Sequence, residues 1–409
     1  MKAYKFRIYP DAKRQKEVSE SLILAQQLYN KILEKIKSEY KNSKKFVVNK
    51  STLNKYMKEV VYENKDFLKL YSQTRQDIFI RLQKAFQNFF KRHREKKQGR
   101  KTKAGFPRFK SADRYCSITY PQYNGSFSVE KAGKSNMLRI ARIGRIKIDL
   151  HREISGTIKT MTIKKEAGKY YAIFTSANEI EITKTEDTNP VGIDLGLDPF
   201  VAMSDCTSID KPKFVNERKK KLARWQKIVA RRKKGSKRRE KAKLSLQKEW
   251  QYLNNESSDF AHKLSNKLVN SGYTSFAVED LKIQNMVKNH NLAASIYHAS
   301  WNKFIQLLSY KAESAGLKVI KVDPRNTTKQ CSGCGNIQDM PLSERIYICN
   351  RCGLRIDRQL NASINILKKA TSGLEGSHAR EDSVRPQNRA VVDEPRTYPV
   401  IAGEAPTFR

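Results

Sequence analysis

Residues 3–9 alternate: Tyr4, Phe6 and Ile8 fall on one side, and Lys5, Arg7 and Tyr9 on the other. This predicts a strand, which Pro10 ends. The period then lengthens. Leu22, Ala25, Tyr29, Ile32, Leu33 and Ile36 recur at three- and four-residue steps, the spacing of one helix face. Residues 51–62 read the same way, as do 72–93, where Ile78, Leu82, Ala85, Phe86, Phe89 and Phe90 form the stripe. Residues 11–95 are thus expected to be a small helical bundle inserted after one strand. A basic loop at 94–104 and Gly105-Phe-Pro-Arg-Phe-Lys110 come next. Strand-like pieces follow at 115–120, 126–130, 137–150, 156–164 and 169–176, the last two hairpinned around Glu166-Ala-Gly-Lys169. Strand 3–9 and residues 111–180 read as one antiparallel β-domain, and 181–190 as a linker.

From residue 191 the pattern becomes α/β. Strands are expected at 191–194, 200–204, 275–278 and 317–322. Helices are expected at 217–254, at 256–271 up to Gly272, and at 295–315, where Trp301, Phe304, Ile305 and Leu308 form the stripe and Gly316 the stop. The tail from Thr371 has five Arg, no Lys, six acids and four prolines and shows no period, so it is expected to be disordered.

Charge changes this picture. The 409 residues hold 82 Lys+Arg against 41 Asp+Glu, a formal +41, with 38% hydrophobic residues. The apolar share allows real cores, while the excess charge calls for a polyanion. No run of 18 apolar residues exists, and the N-terminus lacks the apolar stretch and cleavage site of a secretory signal. A cytoplasmic nucleic-acid-binding protein with no membrane partner is expected. A lipid surface is the weaker alternative, because the charge is spread along the chain and not gathered on one amphipathic helix. Residues 211–250 alone carry 18 Lys+Arg and 3 acids, including Arg231, Arg232, Lys233, Lys234, Lys237, Arg238 and Arg239. A solvated helix face normally mixes signs, so this run points to a phosphate backbone. Trp225, Trp250 and Trp301 could stack bases, but their helical spacing favours core packing. The six histidines show no metal spacing.

Two sets of residues carry chemistry. Cys331-Ser-Gly-Cys334 and Cys349-Asn-Arg-Cys352 are paired knuckles separated by 14 residues, each followed by a glycine. Four thiolates so spaced suit one structural zinc. Cys116 and Cys206 stand alone and are expected to be small buried residues. The second set is dispersed: Asp194 and Glu279 end apolar strands, and Asp357 opens a helix. Carboxylates at strand ends of an α/β sheet lie where such folds place their sites. Converged, three of them would hold two magnesium or manganese ions about 4 Å apart, suited to phosphodiester cleavage. Asp280 points to the other face by alternation, and Asp323, before a proline, reads as a turn residue.

The motifs in this order resemble the TnpB family, RNA-guided nucleases of bacterial and archaeal insertion sequences related to type V CRISPR effectors. The resemblance covers residues 1 to about 370. It rests on the opening Tyr-Lys-Phe-Arg-Ile-Tyr-Pro, Gly-Phe-Pro-Arg-Phe-Lys at 105–110, Gly-Ile-Asp-Leu-Gly at 192–196 and Val-Glu-Asp-Leu at 278–281. It continues through Val-Asp-Pro at 322–324, the four cysteines, and Asp-Arg-x-x-Asn-Ala-x-x-Asn-Ile at 357–366. It implies a multidomain α+β fold: a β-barrel-like wedge domain (1–10 and 111–185) interrupted by a helical recognition domain (11–110). A RuvC/RNase H-like α/β nuclease domain (186–326 and 355–370) follows, with an inserted zinc ribbon (327–354) and a tail (371–409). By this resemblance Asp194, Glu279 and Asp357 are the catalytic, magnesium-binding acids, and Cys331, Cys334, Cys349 and Cys352 the zinc ligands. Gln76 matches a family position near DNA. The implied partners are a guide RNA from the transposon end and target double-stranded DNA, with the protein as a monomer on one RNA. Asp198-Pro199 departs from the family, where a Lys or another polar residue is commoner, and adds a carboxylate near the first acid. A nuclease-inactive RNA-guided repressor and a transposase or accessory transposition protein are the alternatives. The three intact acids oppose the first, and the absence of an evident Tyr or Ser nucleophile motif the second.

Overall fold

The structure, a computed structural model, describes residues 1–43, 50–99, 102–133, 135–177, 188–212, 214–281, 300–341 and 343–375. The chain forms two compact units, within residues 1–177 and 188–375. Among the described residues no helix is long and apolar enough to cross a membrane.

In the first unit, β1 (Lys2–Tyr9) leads into α1 (Ala12–Ser43), α2 (Lys50–Glu63) and α3 (Ser72–Lys97). Six strands follow: β2 (Ser117–Tyr120), β3 (Phe127–Ala132), β4 (Ser135–Ile140), β5 (Gly144–Asp149), β6 (Thr157–Glu166) and β7 (Lys169–Ala177). They form one antiparallel sheet in the order β2-β6-β7-β1-β5-β4-β3, with β1 at its centre between β7 and β5. Alternation on β1 sends Tyr4, Phe6 and Ile8 into a core shared with the helices, which also takes in Leu28, Ile32, Leu82 and Phe86. The expected sheet interrupted by helices is therefore present.

Three expectations about this unit are corrected. Residues 137–150 are not one strand, because Ala141-Arg142-Ile143 turns the chain, with Arg142 and Gly144 at positive φ. Phe90 is exposed, and Phe79 joins the buried stripe of α3 instead. Cys116 is only half-buried.

The second unit contains β8 (Pro190–Leu195), β9 (Val201–Met203), β10 (Ser208–Ile209), α4 (Phe214–Arg231), α5 (Lys237–Val269), β11 (Ser275–Glu279), α6 (Trp301–Ser314) and β12 (Lys318–Val322). The short hairpin β13 (Ile346–Ile348) and β14 (Arg355–Asp357) runs directly into α7 (Arg358–Glu375). The sheet order is β10-β9-β8-β11-β12, with β8, β11 and β12 parallel and β9 and β10 antiparallel. Phe276, Val278, Val191 and Ile193 face a core with α5 and α6, while Ala277 packs on Ile366 of α7. The sheet thus carries helices on both faces.

The long helical stretch breaks elsewhere than expected. It runs unbroken through residue 255 and turns at 232–236, where Gly235 takes φ +83 and Ser236 caps α5 by accepting from the Arg239 N–H. The third helix is described only from Trp301, and the expected helical residues 295–299 lie outside the described residues. Residues 371–375 continue α7 and are not tail, and the rest of the expected tail lies outside the described residues. Of the expected linker, 181–187 lie outside them too. Trp301 is buried, donating from Nε1 to the Gly196 carbonyl, but Trp225 and Trp250 are only half-buried. Cys206 is exposed in the β9–β10 turn at φ +69, contrary to the expected burial.

Candidate functional site

The geometry of this site begins with side-chain alternation on β8. Val191 and Ile193 enter the core, so Gly192 and Asp194 face α7. On β11, paired in parallel with β8 through Val278 and Ile193, Ala277 and Glu279 face the same way. The register brings Glu279 beside Asp194. Both are half-buried at the ends of their strands.

The glycines of Gly-Ile-Asp-Leu-Gly set how closely α7 lies on this surface. A Cβ at Gly192 would overlap the Ser363 carbonyl and crowd Leu367, and one at Gly196 would overlap the Gln359 amide. Helix α7 therefore runs back along β8, and its first turn lies at the strand end that bears Asp194. Asp357 sits at that first turn, where its Oδ1 accepts from the Gln359 N–H at 2.8 Å and the Leu360 N–H at 3.0 Å. It caps the helix through that oxygen.

Electrostatics ties the three acids together. Burial pushes Asp194 up to about 7, with the Glu279 charge adding to it and Asp357 contributing less. Arg358 and the Leu195 N–H oppose the rise. Burial also raises Glu279, against the Thr327 hydroxyl that donates to its Oε1 and the charge of Lys369. A set of carboxylate oxygens suits a divalent cation such as magnesium or manganese. Asp280 is exposed just beyond the end of β11, and Asp323 closes a turn by accepting from the Arg325 N–H, as expected for the latter. The unusual Asp198 is exposed and pairs with Arg345 at 3.0 Å.

The cysteines form a tighter group. Among the described residues, Cys331, Cys334, Cys349 and Cys352 are the metal-ligating group whose donor atoms all lie within 4.8 Å of one another. The Cys331–Cys352 and Cys334–Cys349 sulfurs are 3.7 and 3.6 Å apart. A tetrahedron of sulfurs at zinc bond length has edges of about 3.8 Å, so the cluster fits one structural metal such as zinc. Gly335 and Gly353 take positive φ and donate their N–H to the Cys331 and Cys349 carbonyls, which closes each knuckle.

One link between the two groups escaped the sequence reading. Asn361 and Asn365 of α7 are buried. Asn361 donates to the Gln330 carbonyl and accepts from the Ser332 N–H, while Asn365 donates to the carbonyls of Thr327 and Gln330. These amides hold segment 327–332, which carries Thr327 at one end and the first knuckle at the other. The signal was present in the Asn-x-x-x-Asn spacing, which sets both on one helix face.

The expected nucleic-acid contacts divide. Arg231, Lys233, Lys234, Lys237 and Arg238 are exposed around the α4–α5 turn. Arg232 and Arg239 instead brace it, each donating to a carbonyl across the turn, of Arg238 and Arg232 respectively. In the first unit Gln76 is exposed on α3, between Arg75, which donates to the Phe67 and Leu70 carbonyls, and Asp77, which pairs with Arg81.

Comparison with known proteins places this architecture. A solved Cas12f1–sgRNA–target DNA complex shares the fold, with a TM-score of 0.60 at 14% identity over 89% of this chain and 98% of that one. The fold is thus of the kind seen in the small type V effectors. Residues 173–290 match the OrfB_IS605 "Probable transposase" model, 1–45 its helix-turn-helix domain and 301–366 the Cas12f1-like TNB domain. A Streptomyces pristinaespiralis protein provisionally named an RNA-guided DNA endonuclease is 29% identical over 396 residues, 95% of this chain and 93% of its own. InsQ of Escherichia coli K12, named in the same provisional way, is 26% identical over 72% of this chain and 74% of its own. The chain is thus similar over almost its whole length to a named RNA-guided DNA endonuclease, and over parts of it to TnpB-like proteins and to the IS605-type transposase model.

Proposed function

We propose that this protein is an RNA-guided DNA endonuclease: it holds a guide RNA derived from its transposon and cuts target double-stranded DNA beside a short motif. The observation that carries the reading is the convergence of Asp194, Glu279 and Asp357. They come from three stretches 85 and 78 residues apart in sequence and share one end of a helix-covered sheet. The five-stranded mixed sheet suits the RuvC/RNase H-like domain the resemblance implies, and the names of the full-length relatives agree with a nuclease.

In this reading the three acids are the catalytic residues and the ligands of two divalent cations. Those cations, when bound, supply Lewis acidity to the leaving 3′ oxygen and activate the attacking water. The chain's own part is positional. Strand register sets Asp194 beside Glu279, Thr327 fixes one Glu279 oxygen, and capping α7 fixes one Asp357 oxygen. Zinc in the cysteine cluster would hold the knuckles from which β14 and α7 emerge. The exposed cations of the α4–α5 turn and Gln76 serve nucleic acid, the former as phosphate contacts that carry no sequence reading. Sequence is then read by base pairing with the guide.

The test is plasmid cleavage by the purified protein with its co-purified RNA. Asp194→Ala should abolish cleavage while the same RNA still co-purifies. Cleavage by this variant at the wild-type rate would sink the assignment of the triad. A discrete RNA from the element's end supports the guide, and random cellular RNA argues against it.

A further inference from the structure

The segment Gly105-Phe-Pro-Arg-Phe-Lys110 has no part in the site described above. Its fold is specific. Lys110 is pinned along α1 on both sides of its peptide: its N–H donates to Asn30 Oδ1 at 2.8 Å, and its carbonyl accepts from the Asn30 and Gln26 amides. Pro107 is buried, and Phe106 sits edge-on to Phe86 and Phe89 at 5.1 and 5.4 Å and against Tyr40 at 5.8 Å. Between these anchors Phe109 is turned outward, 50% exposed, with the Lys37 ammonium 4.0 Å from its ring centroid.

Single exposed apolar residues are ordinary, but this one is not isolated. Lys37 also lies 5.8 Å from the Phe106 ring centroid, and the cluster around Phe106 includes Tyr40 and Phe90, 46% and 37% exposed. The chain around it, residues 91–110, holds ten Lys and Arg and one acid. Rigidly mounted rings among cations match the chemistry of base stacking beside a phosphate backbone. Paired bases inside a duplex offer no free face, whereas a folded RNA offers loops and bulges. We infer that Phe109, with Lys37 over its ring, is a stacking site for an unpaired base of the RNA bound by the first unit. This inference rests on the RNA-binding part of the proposed function and adds a residue and a contact to it.

The full-length protein with its co-purified RNA tests this by ultraviolet crosslinking and peptide mass spectrometry. A ribonucleotide adduct on Phe109 is expected. In binding assays with that RNA, Phe109→Ala should weaken affinity about tenfold and Phe109→Trp should retain it. The slope of log affinity against log salt should stay unchanged in Phe109→Ala, because the ring carries no charge. The melting temperature of Phe109→Ala should match the wild type, since the ring is outside the core. Wild-type affinity in Phe109→Ala, or an adduct at Phe109 formed only with target DNA, would overturn the inference. Failure of the wild type itself to retain any RNA would instead overturn the functional reading beneath it.

Discussion

The second unit holds two polar clusters joined by one helix, and they differ in almost every physical respect. The four thiols come from two short knuckles and already stand at tetrahedral spacing, with pairs 3.6 and 3.7 Å apart. The Arg351 N–H also points at the Cys349 sulfur at 3.4 Å. The three carboxylates come from two strand ends and a helix cap, and among the described residues they do not meet the 4.8 Å grouping that the thiols do. Asp194 is pushed up to about 7 by burial and its neighbour. The first cluster is finished by local turns and closed to substrate. The second depends on tertiary packing and holds two carboxylates whose ionisation is opposed by burial. Under the proposed function, that is the difference between a structural and a working metal site.

The largest test of this contrast is selective removal of metals. Stripping zinc, or Cys352→Ser, should remove on the order of 10 kcal/mol of binding energy from the ribbon. Hydrogen exchange across residues 329–357 should then rise to near the unprotected rate, and cleavage should fail because Asp357 loses its place. Withholding magnesium should leave the same protection intact. Equal protection in zinc-stripped and zinc-loaded protein would show that the knuckles need no metal.

A second test uses the raised Asp194. An unfolded Asp ionises near 3.8, whereas the native group does so at about 7. Between those values the native state holds a proton that the unfolded chain has lost, so this group's contribution to stability falls as pH rises and is lowest above 7. Asp194→Asn stays neutral throughout. Without magnesium the variant should match the wild type near pH 4 and exceed it by up to about 4 kcal/mol at pH 8 in denaturant melts. Magnesium at pH 8 should stabilise the wild type alone. A pH-independent difference would mean that the carboxylate is not strained.

How much of this was legible follows from what each feature depends on. The helices of the first unit, the hairpin of β6 and β7 and the strands bearing Asp194 and Glu279 were visible, because apolar period and turn residues are local. The cysteines were visible for the same reason. The break at Gly235-Ser236 was hidden by a basic run whose helical spacing continues on both sides, although glycine followed by serine is a helix stop and start. The central place of β1 could not be read from its alternation, since pairing with β5 and β7 is made across more than 130 residues. The acids were read as a set by order and resemblance, but not the way in which Gly192 admits α7 or Asn365 holds Thr327. Those are contacts between surfaces, and no period reports them.

Gly192→Ala puts that packing to a third test. The added methyl meets the Ser363 carbonyl and Leu367, so α7 must shift, at a cost of about 1–3 kcal/mol. Because α7 bridges both clusters while only the acids depend on its seat on β8, cleavage should fall strongly and zinc stoichiometry should stay at one per chain. Loss of zinc together with activity would show the two clusters to be one cooperative structure.

The smallest and most selective change is at Thr327. Its hydroxyl donates to Glu279 and also lies 3.1 Å from the Pro324 carbonyl, while its own carbonyl is held by Asn365. Thr327→Val keeps the shape and removes the donor. A hydrogen bond to a charged acceptor contributes about 1.5–3 kcal/mol, part of which a bound cation replaces. The magnesium concentration for half-maximal cleavage should therefore rise roughly tenfold, with little change in rate at saturating magnesium. Thr327→Ser should restore the wild-type value, which a purely packing role for the methyl group would not allow. If Thr327→Val lowers the saturated rate and leaves the magnesium dependence untouched, Glu279 is not oriented through this hydroxyl, and the acidic cluster is as self-contained as the cysteine one.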